Sequence, residues 1–221
     1  MELFQKIFDV LVHFEKYLDI LIQNSGLWIY FIIFAIIFAE TGFVITPFLP
    51  GDSFLFVLGA FSARGTFNPI ILAAILISAA ILGDSINYVI GKYLGSRLIH
   101  AKRFIFFKKE HLDRTHHFYE KYGGKTIILA RFVPIIRTFA PFVAGIANMN
   151  YTKFITYNVI GGVLWVSVFV FGGFYFGNIP VVKEHFSLVT IIIIVISIAP
   201  AIVEFLRAKI KIKKEARERG F

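Results

Sequence analysis

The sequence predicts an all-α polytopic membrane protein. Two inverted repeats each join a re-entrant broken-helix hairpin to a transmembrane helix, with amphipathic interfacial helices beside them and a C-terminal transmembrane helix. Three observations predict this. The chain of 221 residues is 57% hydrophobic, with a mean hydropathy of +0.76, where a soluble domain is about 45–50% apolar. The apolar residues fall in long runs, and two of the runs are broken by prolines and charges. Finally, the net charge of +9 is unevenly placed along the chain. There are no cysteines, which excludes disulfides and thiolate metal sites.

Residues 1–25 form the first element. Phe4, Ile7, Phe8, Leu11, Phe14, Leu18 and Leu21 recur at helical spacing, opposite Lys6, Asp9, Glu15 and Lys16. That is an amphipathic interfacial helix, and its acidic start differs from a secretory signal. A membrane domain over 26–206 follows. Its first hairpin, 27–61, has only 13 apolar residues before Glu40, and Pro47, Pro50 and Gly51 then interrupt it. A spanning helix needs about 20. Broken backbone at membrane depth is tolerated only where protein or a wet cavity satisfies it.

A transmembrane helix over 69–94 comes next, with Asp84, Asn87 and Tyr88 in its second half. The basic stretch 95–125 is interfacial. A second hairpin over 126–149 holds Arg131, Pro134, Arg137 and Pro141 in an otherwise apolar run. Transmembrane helices over 152–177 and 186–206 precede a basic tail, 207–221. Gly91…Gly95 is answered by Gly173…Gly177, and Phe43…Pro47 by Phe132…Pro134. Two halves with paired, interrupted segments are the sequence mark of a transporter binding site. With the hairpins opening to opposite sides, 95–125, Lys153 and the tail share one side and carry 16 of the 23 Lys and Arg residues. The positive-inside rule makes that side, and the C-terminus, cytoplasmic. The basic balance then serves anionic lipid rather than nucleic acid.

Glu40, Asp52, Asp84, Arg131 and Arg137 are charges in or beside apolar runs. An arginine or aspartate costs about 2.5–3.5 kcal/mol at helix centre, so mutual pairing of both arginines with Glu40 and Asp52 is expected. On a straight helix the arginines would be about 600° apart. Across a break at Pro134 both can face one cavity, where guanidinium forks match phosphate oxygens. The half-helix after Arg137 would aim its positive end at the break. Arg131 and Arg137 are therefore the candidate ligands of a lipid phosphate, and Glu40 and Asp52 the proton-coupling or gating groups. Pro47, Pro50, Gly51, Pro134 and Pro141 are the helix-breaking set. Competing structural readings stand beside these. The charges could only hold two hairpins together, and Asp52 could only cap its half-helix. Asp84, Asn87 and Tyr88 read as a polar helix–helix contact or as support for the site. Trp28 and Trp165 read as interfacial or packing aromatics, and Gly161-Gly162 and Gly172-Gly173 as close-packing positions. His100, His111, His116 and His117 lie in the basic stretch, so no metal and no cofactor is expected.

The stretches ETGFVITPFLPGDSFLFVLGAF, GDSINYVIGKYLG, FYEKYGGKTIILARFVPIIRTFAPFVAGIANM and YNVIGGVLW with GGFYFG resemble the DedA family, also called SNARE-associated or VTT-domain proteins, over about residues 26–206. The resemblance implies a bacterial inner-membrane lipid translocase. It supplies undecaprenyl phosphate as the substrate lipid, dependence on the proton motive force, and opposed re-entrant hairpins. The family's essential acidic and basic positions fall on Glu40, Asp52, Arg131 and Arg137. The expected partners are membrane lipids (undecaprenyl phosphate or another anionic phospholipid) and protons. Homo-oligomerisation stays open. Rival readings are a proton-coupled ion or small-solute transporter and a passive phospholipid scramblase. A lipid phosphatase ranks last, because all six histidines lie outside the apolar segments; a non-enzyme is expected.

Overall fold

The computed structural model describes residues 26–43, 51–100, 119, 121–186, 188–190 and 192–193. Residues 1–25, Pro47, Pro50, most of 95–125 with His111, His116 and His117, most of 186–206, and the tail lie outside them. Among the described residues the protein is all-helical. Helix α1 is Trp28–Gly42 and α2 is Gly51–Ala63. The long α3 is Pro69–His100. A 3-10 turn at Gly123–Lys125 leads into α4, Thr126–Ala130, then α5, Pro134–Ile146. Helix α6 is Tyr151–Gly177 and α7 is Pro180–Glu184.

Length separates these helices into two kinds. The Pro69–Tyr93 part of α3 (25 residues) and α6 (27 residues) are long and apolar enough to cross a membrane. The 15 residues of α1 rise about 22 Å, and the 13 of α2 or α5 about 20 Å. Each is short of a hydrocarbon core of about 30 Å.

Two boundaries differ from the expected ones. Helix α3 runs to His100, so residues 95–100 continue it rather than beginning the interfacial stretch. No proline interrupts them, so nothing in the backbone stops the helix there. In the second hairpin the break lies at Arg131–Val133, between α4 and α5. Pro134 opens α5, where its missing N–H costs nothing. Pro141 lies inside α5 and does not break it, which corrects its place in the helix-breaking set. Arg137 thus belongs to the first turns of α5 rather than preceding it.

Helix α1 packs on α3, α2 on α6, α5 on α3, α3 on α6 and α4 on α6. Two of these contacts share one glycine geometry. A Cβ on Gly59 would strike the carbonyl of Val170, and one on Gly173 that of Phe56. Likewise Gly91 faces the carbonyl of Phe142, and Gly145 that of Tyr88. In each contact, the glycine of one helix meets the carbonyl three residues before the glycine of the other. Ile37, Leu55, Leu72, Leu76, Val166 and Val170 are fully enclosed in the core between α1, α2, α3 and α6. The outward faces of α3 and α6 leave Leu82, Ile86, Val163, Leu164 and Val168 exposed, the apolar surface that lipid rather than water suits.

Candidate functional site

The break in the second hairpin positions both arginines. Arg131 closes the C-terminal end of α4, and Arg137 lies one turn into α5. Their guanidinium carbons stand 5.8 and 5.6 Å from the ring centre of Trp165 on α6. The two cations therefore converge on one indole from the two sides of the break. Cation–π attraction offsets part of their repulsion.

The pairing is divided between them. Arg137 donates through one nitrogen to Glu40 of α1 and through the other to Asp52 of α2, at 2.7 Å. Arg131 does not reach either carboxylate. It donates instead to Asp84 of α3 and Asn158 of α6, each at 2.5 Å. The expectation that both arginines pair with Glu40 and Asp52 is corrected on this point. Arg131 sits before the break, on the side facing α3 and α6, so the nearer carboxylate is Asp84. Gly161 and Gly162 leave the space its side chain needs, since a Cβ on Gly161 would lie 3.1 Å from Arg131 Nε.

Trp165 is no mere packing aromatic. Its indole N–H donates to Asp52 at 2.8 Å, so Asp52 is shared by an arginine and a tryptophan. Asp52 lies in the first turn of α2. Glu40 also takes the backbone N–H of Gly51, and a Cβ there would collide with both of its carboxylate oxygens. Glu40 thus faces the positive end of α2, and glycine at 51 is required by close approach rather than by a turn alone.

The remaining polar residues split. The Asn87 side-chain amide donates to the carbonyls of Thr41 (3.2 Å) and Thr138 (2.9 Å), tying α1 and α5 beside the charges. Tyr88 goes elsewhere: its hydroxyl donates to Met149 and its ring stacks on Phe154 at 4.5 Å. Sequence reasoning missed Asn158 and misassigned Trp165. An asparagine one turn before Gly161-Gly162, in a spanning helix, was the available signal.

The cluster is closed. Arg131 and Asp84 side chains are 5% and 6% exposed, and Glu40 1%, whereas Asp52 reaches 30%. The free space between Glu40, Asp84, Arg131, Arg137 and Trp165 is about 10 Å³, room for at most one water. Among the described residues no group of three metal-ligating side chains occurs.

Comparison with known proteins places this arrangement in a family. The VTT domain matches residues 49–175. Protein DedA of Escherichia coli is 48% identical over 211 residues, covering 95% of this chain and 96% of that one. An uncharacterized membrane protein of Mycobacterium leprae is 38% identical, covering 76% of this chain and 75% of its own. Inner membrane protein YqjA of Escherichia coli is 31% identical, covering 71% of each. No solved structure matches the chain. The domain match spans every member of the charged cluster except Glu40, and the DedA match covers nearly the whole chain: the protein belongs to the DedA family of VTT-domain membrane proteins.

Proposed function

We propose that this protein is an inner-membrane translocase that moves a phosphate-bearing lipid between leaflets, with undecaprenyl phosphate, moved from the outer to the inner leaflet, as the first substrate to test. The inner membrane comes from the relative named inner membrane protein YqjA, and the polyprenyl lipid from family resemblance. The observation that carries the reading is the convergence of two buried guanidinium groups on Trp165, each already held by carboxylate. A phosphate can replace carboxylates in a guanidinium fork without changing the geometry of the donors.

In this reading Arg137 is the exchanging ligand. Protonation of Glu40 and Asp52 frees its fork, the lipid phosphate takes their place, and release of those two protons as the lipid leaves restores the closed pairs. Arg131, held by Asp84 and Asn158, adds positive charge behind it. The chain tail stays in lipid. No bond is made or broken in the lipid. The two glycine contacts, α2 on α6 and α5 on α3, repeat one pattern, which supports two inverted repeats around the site. The hairpins are re-entrant and the C-terminus cytoplasmic in the same proposal.

A proton-coupled ion or small-solute transporter is the second reading. The closed space of about 10 Å³ favours its ion form, because a headgroup needs the hairpins to part. Flipping of fluorescent undecaprenyl phosphate in proteoliposomes, with bulk phospholipid as control, separates the readings. Selective flipping that Arg137→Ala abolishes, with insertion retained, is expected. Equal movement of both lipids identifies a scramblase, and movement of neither leaves the solute transporter.

A further inference from the structure

A second, larger opening lies beyond the charged cluster. A cavity of about 610 Å³ is bounded by Gly124 of the 3-10 turn, by Ala144 and Ala147 at the end of α5, and by Lys153, Thr156 and Tyr157 at the start of α6. Ligand pockets usually measure 300–1,000 Å³. Among the described residues no acidic side chain lines it, and Lys153 is its one charged lining residue. No ion pair engages Lys153 among the described residues. Lys121 and Lys125 flank the glycines of the turn. The opposite wall is apolar, contributed by Val143, Ala144 and Met149.

Its position is as informative as its lining. Val143 follows Arg137 on α5 by six residues, about 9 Å of helix rise. On α6, Tyr157 adjoins Asn158, which holds Arg131. Both walls therefore run from the cavity to the arginines. A lysine beside an apolar wall fits an amphiphile with an anionic head, not a free ion, which has no use for the apolar side.

We infer that this cavity receives the phosphate head and first chain carbons of an anionic lipid, at the basic end of α6, before or after it meets the arginines. The inference rests on the translocase reading for its purpose but not for its test. The full chain in phosphatidylcholine nanodiscs is titrated with farnesyl phosphate, with farnesol and inorganic phosphate as competitors. Saturable binding is expected, weakened about tenfold by Lys153→Gln, which removes a charge-assisted contact. Ala147→Trp should weaken it as strongly; Ala147 is exposed, so the larger ring fills the cavity without entering the core. Farnesol should not displace the probe, and inorganic phosphate only at far higher concentration.

Unchanged affinity in both cavity variants overturns the inference and leaves the translocase reading standing on its own transport assay. Displacement by inorganic phosphate as strong as by the lipid overturns the lipid assignment. Weakened probe binding in the cavity variants, together with normal transport by Arg137→Ala, keeps the cavity and removes the translocase reading.

Discussion

The two arginines share an indole but not a task. Arg131 is tied to Asp84 and Asn158 in a pocket that scarcely reaches solvent. Removing one member of a buried pair typically costs 3–5 kcal/mol, because the other charge is stranded. Asp84→Ala should therefore lower the thermal midpoint in detergent strongly, and the double change Asp84→Ala/Arg131→Met should recover much of it. Equal loss in the single and double variants would show that the pair is not what holds α3 to the break. Trp165 makes a different prediction. Phenylalanine keeps an aromatic ring beneath both guanidinium groups but removes the bond to Asp52 and part of a fully buried side chain. A hydrogen bond to a charged group contributes about 1.5–3 kcal/mol, so Trp165→Phe should lower the thermal midpoint and reduce transport about tenfold, with insertion retained. Gly51→Ala places a methyl against the Glu40 carboxylate and should impair transport with insertion intact, read by the same flipping assay.

At the scale of helices, the glycine contacts set how closely the short helices approach the long ones. Gly173 has the backbone of Phe56 against it, and Gly145 that of Tyr88. Alanine at either position forces the pair apart, and overpacking of this kind costs about 1–3 kcal/mol. Comparable drops in melting temperature for Gly173→Ala and Gly145→Ala are expected from the repeated pattern. The breaks were partly legible beforehand. Pro134 marks the start of α5 because φ restriction and the missing N–H act locally. Pro141 misled, since a proline's local signature is the same whether the helix stops there or, as here, continues.

For the whole molecule, the question is which side each loop faces. The chain has no cysteine, so single introduced cysteines can be labelled without background. If both hairpins are re-entrant, Leu27→Cys and Thr66→Cys should label from one side, and Tyr122→Cys and Tyr151→Cys from the other. Labelling of Leu27→Cys and Thr66→Cys from opposite sides would make the first broken segment a full crossing. The positive-inside rule places the Tyr122 and Tyr151 pair on the cytoplasmic side.

What the sequence determined by itself is the part that local chemistry encodes. Apolar runs of sufficient length name a membrane protein, motifs spread along the chain name its family, and charges in apolar surroundings name the candidate site. What only the tertiary structure decided is who pairs with whom. Arg131 meets Asp84 across 47 positions, Arg137 meets Asp52 across 85 and Glu40 across 97, and Trp165 meets Asp52 across 113. The sequence supplied two cations and three carboxylates without a rule for matching them. That match depends on which face of α4, α5 and α6 each side chain leaves from, and those faces are set by helix packing at the glycine contacts, far along the chain from the residues they bring together.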